Sequence, residues 1–285
     1  MEIYPIPNLQ SPIADGTSDN PQLTHITVAT INLRNRADRW RERRHLLVAQ
    51  LVDAAPDLVS LQEIHFPIEQ GRWLRNQINV RLSGQSKRPY RLIQKRKRHL
   101  VHGYFEGIGI LSKCPVLYHD STSLGYGGRL ALRANVELPS RRTMDFVATH
   151  LHHVYHDRET RQEQVMTLVG WLNNLRPVPL QVVAGDFNEV PTGPAIQLMK
   201  QGFRSAYEEV YGREPLATYP TALVIPKPSY DGSPGAGWAG CLDYIFVSPA
   251  VKRVVSASLF CDKPSATDDT LYPSDHVGLI TTLEI

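Results

Sequence analysis

The sequence has little cysteine. Only Cys114, Cys241 and Cys261 occur, far apart and in no CxxC pair. That spacing gives no zinc or redox motif and no disulfide framework, and the odd count points to a reducing, cytoplasmic setting. No run of about 18 apolar residues occurs, so no membrane-spanning helix is expected. The first 22 residues carry neither a basic n-region nor an apolar core, so no signal peptide is expected. Net charge is only +3, which is not the bulk signature of a nucleic-acid binder. Neither an internal repeat nor a linker breaks the chain.

What the chain does contain is enough apolar residue, 42%, to bury a large core. Residues 1–24 are rich in Pro, Ser, Asn and Asp without periodicity and read as an extended or disordered arm. Residues 25–285 read as a single domain. Strands are expected at 25–32, 56–64, 90–97, 107–111, 116–121, 130–138, 143–149, 180–184, 242–247, 251–260 and 277–283. Helices are expected at 37–54, 67–80 and 156–174, with a short one at 195–202. Residues 212–240, including PKPSYDGSPGAGWAG, read as a loop whose length suits a substrate-facing excursion. Many strands with few long helices indicate packed sheets covered by helices.

Positive charge is local. Arg34, Arg36, Arg39, Arg41, Arg43 and Arg44 crowd one segment; Lys87, Arg88, Arg91, Lys95, Arg96, Lys97 and Arg98 crowd another. Such patches suit a phosphate-bearing substrate, and equally suit a solvated face. Polar residues also recur where strands end. Asn32 follows ITVATI, Glu63 follows LVSLQ, His150 follows DFVAT, and Asp186 and Asn188 follow QVVAG. Asp243 opens LDYIFV, and Asp275 and His276 precede VGLITTLEI. Carboxylate, amide and imidazole groups aimed from rigid strand ends suit a hard cation and a phosphate.

These segments resemble a known superfamily. TINL (30–33), LQEI (61–64), THLHH (149–153), GDFNEVP (185–191), LDYIFVS (242–248) and SDHVGL (274–279) are similar, in this order, to the signature of endonuclease/exonuclease/phosphatase proteins. The resemblance implies a DNase I-like α/β fold: a four-layer sandwich with two central mixed sheets flanked by helices. It implies Mg²⁺ or Mn²⁺ and in-line attack of water on phosphorus. It assigns the metal to Glu63, with Asn32 and Asp275 beside it. Asp186 orients or deprotonates the water, and Asn188 touches the scissile phosphate. Asp243 and His276 form a pair, and His150 hydrogen-bonds a phosphate or leaving-group oxygen. Glu106 supports His150, and Arg129 and Arg34 face phosphate. His152, His153 and His156 are expected at the rim, not as metal ligands.

The implied activity is hydrolysis of a phosphodiester, with nucleic acid the first substrate class and the protein a monomer. Sphingomyelinase-like or inositol-phosphate and phospholipid hydrolysis is the alternative, and an inactive binding module a third reading. The segment after GDFN lacks the asparagine- and lysine-rich signatures of abasic-site endonucleases, although Trp238 lies shortly before Leu242 and Asp243.

Overall fold

A computed structural model describes residues 25–85, 87–97, 105–174, 178–225, 235 and 237–285. The arm at 1–24, Arg98 of the second basic group, and 226–234 and 236 of the long loop lie outside the described residues. The first strand, β1 (His25–Asn32), shows how the layers arise. Its side chains alternate: Ile26 and Val28 enter one apolar cluster, Ala29 and Ile31 another. A strand buried on both faces needs a layer on each side.

The same division runs through the chain. Sheet A orders β11 (Arg253–Phe260), β12 (Gly278–Glu284), β1, β2 (Leu58–His65), β4 (Glu106–Ser112) and β3 (Arg91–Arg96). Sheet B orders β5 (Val116–Ser123), β6 (Leu130–Glu137), β7 (Thr143–His150), β8 (Gln181–Asp186), β10 (Asp243–Val247) and β9 (Arg204–Ser205). Between the sheets lies a core that includes Val28, Ile110, Leu132, Phe146, Val182 and Ile245. Helices α1 (Trp40–Ala54) and α2 (Gln70–Ser83) cover the outer face of sheet A, burying Leu47, Leu51, Leu74 and Ile78. Helices α3 (Arg158–Asn173) and α4 (Pro194–Met199) cover sheet B with Val165, Leu168, Leu172 and Ile196. The four-layer α/β sandwich expected from the motifs is present. No helix among the described residues is long and apolar enough to cross a membrane.

Strand direction sets where the polar residues gather. β1 and β2 run parallel, as do β7 and β8; the remaining pairs are antiparallel. The parallel strands therefore deliver their C-terminal residues, Asn32, Glu63, His150 and Asp186, to one end of the sandwich. Antiparallel β4, β6, β10 and β12 begin at that same end, bringing Glu106, Arg129, Asp243 and the Asp275–His276 pair. Two glycines of the motifs are there for close packing. A Cβ on Gly185 would meet the Thr149 carbonyl oxygen, and one on Gly278 the Thr30 carbonyl oxygen. Between the sheets, Thr30 donates to Gln62 (3.3 Å), Gln62 to Ser60 (2.7 Å), and Ser60 to the Ala184 carbonyl (2.8 Å). This buried chain ties the end of sheet A to β8.

Two departures from the sequence reading have local causes. The helix expected at 37–54 begins only at Trp40, because Arg34, Asn35, Asp38 and Arg39 take positive φ (53°, 36°, 46° and 60°). Helix α5 (Ala206–Tyr211) and the two-residue β9 were not expected; each is too short to show a period.

Candidate active site

The polar residues line one cleft of about 420 Å³, within the range of ligand pockets. Glu63 reaches it through a fault in its own strand. Plain alternation would send residue 63 with Val59 and Leu61 toward the helices. Instead the β2–β4 register shifts between Leu61 and Ile64, and Glu63 takes φ 53°. A bulge of this kind re-aims a side chain, and Glu63 lines the cleft.

Asn32 stands between the two acidic centres. Its Nδ2 donates to Glu63 Oε1 (3.2 Å) and to Asp186 Oδ2 (3.0 Å), while its Oδ1 accepts the Arg34 amide (2.9 Å). Its lone donor set is thus spent on fixing two carboxylates. Asn35 donates to Glu63 Oε2 (3.3 Å) and to Glu106 Oε1 (2.8 Å), and Lys97 pairs with Glu106 Oε2 at 3.2 Å. Arg34 pairs with Asp38 (2.7 Å) and with buried Asp275 (3.2 Å). Burial, then the like charges of Glu106 and Asp275, push the Glu63 carboxyl above its ordinary value.

On the sheet B side, His276 Nδ1 lies 2.8 Å from Asp243 Oδ2, and its Nε2 lies 3.9 Å from Asp186 Oδ2. His150 Nε2 lies 3.5 Å from the same oxygen. Asp186 Oδ1 accepts the Asn188 amide (2.8 Å), and Asn188 Nδ2 donates to the Leu151 carbonyl (3.2 Å). Arg129 donates from Nη2 to His153 Nδ1 (3.1 Å), while its buried Nη1 has no partner. Burial pushes the Asp186 carboxyl up to about 7, with His276 pulling it down and Asp243 pushing it further up. Burial opposes charge on His276 too, yet Asp243 and Asp186 raise its imidazole to about 10. Burial and then Arg129 and Lys97 drive His150 well below the ordinary histidine value, so it is neutral.

The His276 shift has a consequence for stability. The group is raised in the folded state above its unfolded value of 6.5. Its contribution is therefore complete below that pH and disappears as pH climbs toward about 10. In metal-free protein, thermal melts from pH 6.5 to 10 should show wild-type stability falling more steeply than that of Asp243→Asn. Parallel slopes would mean that the Asp243–His276 contact does not carry the shift.

Every site residue named from the sequence lines this cleft or contacts a residue that does, but Glu106 bonds Asn35 and Lys97 instead of supporting His150, whose buried Nδ1 has no partner. His152 is buried and pairs with Asp157 (3.2 Å), so it belongs to the wall; exposed His153 is at the rim. Arg43, counted in the first basic group, does not face phosphate at all. It is fully buried among backbone carbonyls. Sequence reasoning missed Asn35, Tyr155 and Tyr219, and saw Lys97 only as part of a basic run. Lys97 had a readable signal: it shares strand parity with Ile93, which packs against the inter-sheet core.

The donor set suits a hard divalent cation. Glu63, Glu106 and Asp275 bring like charge together, and each oxygen is a hard ligand. Among the described residues the acidic and histidine ligand atoms that converge, within 4.8 Å of one another, are those of Asp186, Asp243 and His276. There Asp243 Oδ2 lies 2.8 Å from His276 Nδ1, which is the contact of an oriented imidazole, while buried Asp243 Oδ1 has no partner.

Comparison with known proteins gives the same outline. The sequence profile of the Endonuclease/Exonuclease/phosphatase family matches residues 29–276. No curated protein matches in sequence. Among solved structures, the human Nocturnin catalytic domain, solved with a bound sulfate anion, is 21% identical with a TM-score of 0.68, covering 92% of this chain and 93% of that one. TDP2 from D. rerio, complexed with a single-strand DNA product, is 16% identical with a TM-score of 0.70, covering 92% and 99%. A family protein from Bacteroides vulgatus is 20% identical with a TM-score of 0.66, covering 92% and 99%. These likenesses establish a shared fold.

Proposed function

This chain belongs to the endonuclease/exonuclease/phosphatase family, and from that premise we propose that it hydrolyses phosphodiester bonds of nucleic acid with Mg²⁺ or Mn²⁺. The observation that carries the reading is the geometry of one cleft, in which Asp186 Oδ2 lies 3.5 Å from His150 Nε2 and 3.9 Å from His276 Nε2, with His276 Nδ1 held 2.8 Å from Asp243 Oδ2. Burial raises the Asp186 carboxyl, and against burial Asp243 and Asp186 raise the His276 imidazole, so Asp186 is the better proton acceptor and His276 keeps its proton near neutral pH. A carboxylate made more basic by burial, beside an imidazolium held by a second carboxylate, suits base and acid roles.

In this mechanism Asp186 Oδ2 orients the attacking water and takes its proton. Asn32 and the Asn188 amide hold that carboxylate in place. Asp243 fixes His276 through Nδ1, leaving Nε2 toward the phosphate. The imidazolium and the unpartnered Nη1 of Arg129 donate to oxygens on which charge builds. Neutral His150 and Asn188 add hydrogen bonds to the phosphate or leaving oxygen. Glu63, with Glu106 and Asp275 beside it, would hold the cation, which when bound supplies Lewis-acid stabilisation of phosphate charge.

Support for nucleic acid over lipid or inositol phosphate comes from charge. Arg34, Lys97 and Arg129 line the cleft, while exposed Lys87, Arg88 and Arg91 lie at the end of edge strand β3 away from it. The D. rerio TDP2 structure holds a single-strand DNA product in the same fold.

The test is metal-dependent turnover of bis-p-nitrophenyl phosphate, then of single-stranded DNA and RNA. We expect activity with Mg²⁺ or Mn²⁺, none with EDTA, and nucleic-acid affinity that falls steeply with salt. Turnover of sphingomyelin or inositol phosphates with a flat salt response would move the substrate to phospholipid chemistry. Loss of all turnover in the presence of metal would leave a binding module.

A further inference from the structure

Among the described residues the two largest fully buried side chains are both arginines, Arg43 and Arg161. Each lies eleven residues after a site residue that ends a parallel strand: Arg43 after Asn32, Arg161 after His150. Each is the fourth residue of the helix that follows, α1 or α3. The two halves of the sandwich thus place one guanidinium at equivalent points beneath the cleft.

Their bonding is also alike. Arg43 donates to the carbonyls of Leu33 (2.9 Å), Arg34 (3.0 Å), Asn35 (3.1 Å), Ala37 (3.0 Å) and Asp38 (2.9 Å). It also donates to Pro273 (2.9 Å), two residues before Asp275. Arg161 donates to the carbonyls of Val154 (2.6 Å) and Tyr155 (2.9 Å), more weakly to His152 (3.4 Å), and to Glu189 Oε2 (3.1 Å), next to Asn188. In each case one guanidinium gathers the irregular loop after a strand and ties it to a second motif segment.

Burying a guanidinium is costly unless its donors are all used. An apolar side chain at either helix position would leave these carbonyls without a donor. The gain from arginine is defined geometry: five donors in a rigid fork fix several carbonyls at once, which a lysine cannot do. The positive φ values of Arg34, Asn35, Asp38 and Arg39 lie inside the loop that Arg43 binds. Other bonds hold single points of that loop, among them Gln70 on the Asn35 carbonyl and Arg34 with Asp38 and Asp275, whereas Arg43 gathers five of its carbonyls at once.

We propose that Arg43 and Arg161 are positioning residues, a pair of internal clamps that each set one half of the active site. Arg43 sets the half holding Arg34, Asn35, Asp275 and, through Asn35, Glu63. Arg161 sets the half holding His150, Asn188 and the His152–Tyr155 wall. The inference rests on the functional reading for what these halves do, and it assigns the arginines no contact with substrate.

The test uses Arg43→Lys and Arg161→Lys in the full chain, assayed well below their melting temperatures with the folded fraction measured. Outer-shell residues of a metal site typically contribute 10–100-fold. For Arg43→Lys we expect kcat on bis-p-nitrophenyl phosphate lower by about 10–100-fold. Mn²⁺ binding, read by electron paramagnetic resonance without substrate, should be about tenfold weaker. For Arg161→Lys we expect a similar loss of kcat with Mn²⁺ affinity within about twofold of wild type. Losses that merely follow the unfolded fraction, or rates and Mn²⁺ affinities unchanged in both folded variants, would overturn the proposal. So would equal Mn²⁺ weakening in both.

Should either variant not fold, hydrogen exchange in the wild type decides. The amides of Arg34 and Ala37, which donate to Asn32 Oδ1 and the Arg34 carbonyl, and those of His152 and Asp157, which donate to Gln164 Oε1 and the Val154 carbonyl, should exchange as slowly as the ends of β1 and β7; exchange as fast as the exposed turn at 139–142 refutes the clamps. A wild type that binds Mn²⁺ and protects these loops but turns over no phosphodiester would count against the proposed function and leave the clamps standing.

Discussion

Asp186→Asn should lower turnover by on the order of 10³-fold, the middle of the range for a group that moves a proton, while the metal-free melting temperature stays the same or rises. Both halves of this expectation come from the surroundings of one carboxylate. Asp186 Oδ2 faces Asn32 Nδ2 at 3.0 Å, His150 Nε2 at 3.5 Å and His276 Nε2 at 3.9 Å. An amide keeps the shape but cannot take a proton from water. Whichever way it is turned, it also sets an NH₂ group against an N–H donor, because the Asn188 amide claims the other oxygen. Loss of rate follows from either effect. Stability moves the other way. Burial raises the Asp186 carboxyl to about 7, which means that at neutral pH the folded protein holds a charge it disfavours. A neutral amide removes that penalty, which offsets the cost of the donor–donor contact, and sites of catalysis commonly trade stability for activity in this sense. Turnover within tenfold of wild type would take Asp186 out of proton transfer. A large drop in melting temperature together with lost activity would make it a structural residue.

Much of this arrangement is legible in the order of residues alone, since the polar groups of the cleft sit at strand ends. A strand carries its own register, so HITVATIN, DFVATH and QVVAGD each announce where the apolar run stops and a polar side chain is left at the rim. Once parallel and antiparallel directions are known, those ends must meet. Asp243 and Asp275–His276 are equally readable, being the first polar residues before the closing strands. The layers are readable for the same reason: residues such as Val28 and Ala29 have opposite parity and feed separate cores.

What could not be read lies off the strands. Asn35 bridges Glu63 and Glu106, but it does so from a loop of positive-φ residues that has no period. Arg43 reads as one more surface charge in a run of six arginines. Only the three-dimensional path of 33–38 reveals that its partners are carbonyls, which have no sequence signature because every residue owns one. Tyr155 and Tyr219 enter the cleft from loops as well. Glu63 is an intermediate case. The motif names it, whereas strand alternation would have buried it against α1 and α2. The bulge that resolves the conflict follows from no local propensity of LQEIH.

That bulge also fixes where the cation should bind, which Glu63→Gln tests. At Glu63 the charge is crowded by Glu106 and Asp275 and its carboxyl is raised. A divalent cation relieves that crowding, so binding should stabilise the folded protein. At a metal concentration of 100 Kd the gain is about 2.7 kcal/mol. Loss of a ligand that weakens binding by on the order of 100-fold would leave about 0.4 kcal/mol by the same relation. Glu63→Gln should therefore melt at or above the wild-type temperature without metal and show almost no upward shift with Mg²⁺, and turnover at that concentration should fall with occupancy. Asp243→Asn is the matched control. If the cation sits on Glu63, Asp243→Asn keeps its Mg²⁺-induced shift even as it loses activity, because its carboxylate serves His276. The opposite pattern, a shift retained in Glu63→Gln and lost in Asp243→Asn, would place the cation on Asp186, Asp243 and His276 instead and would reassign the imidazole from phosphate to metal.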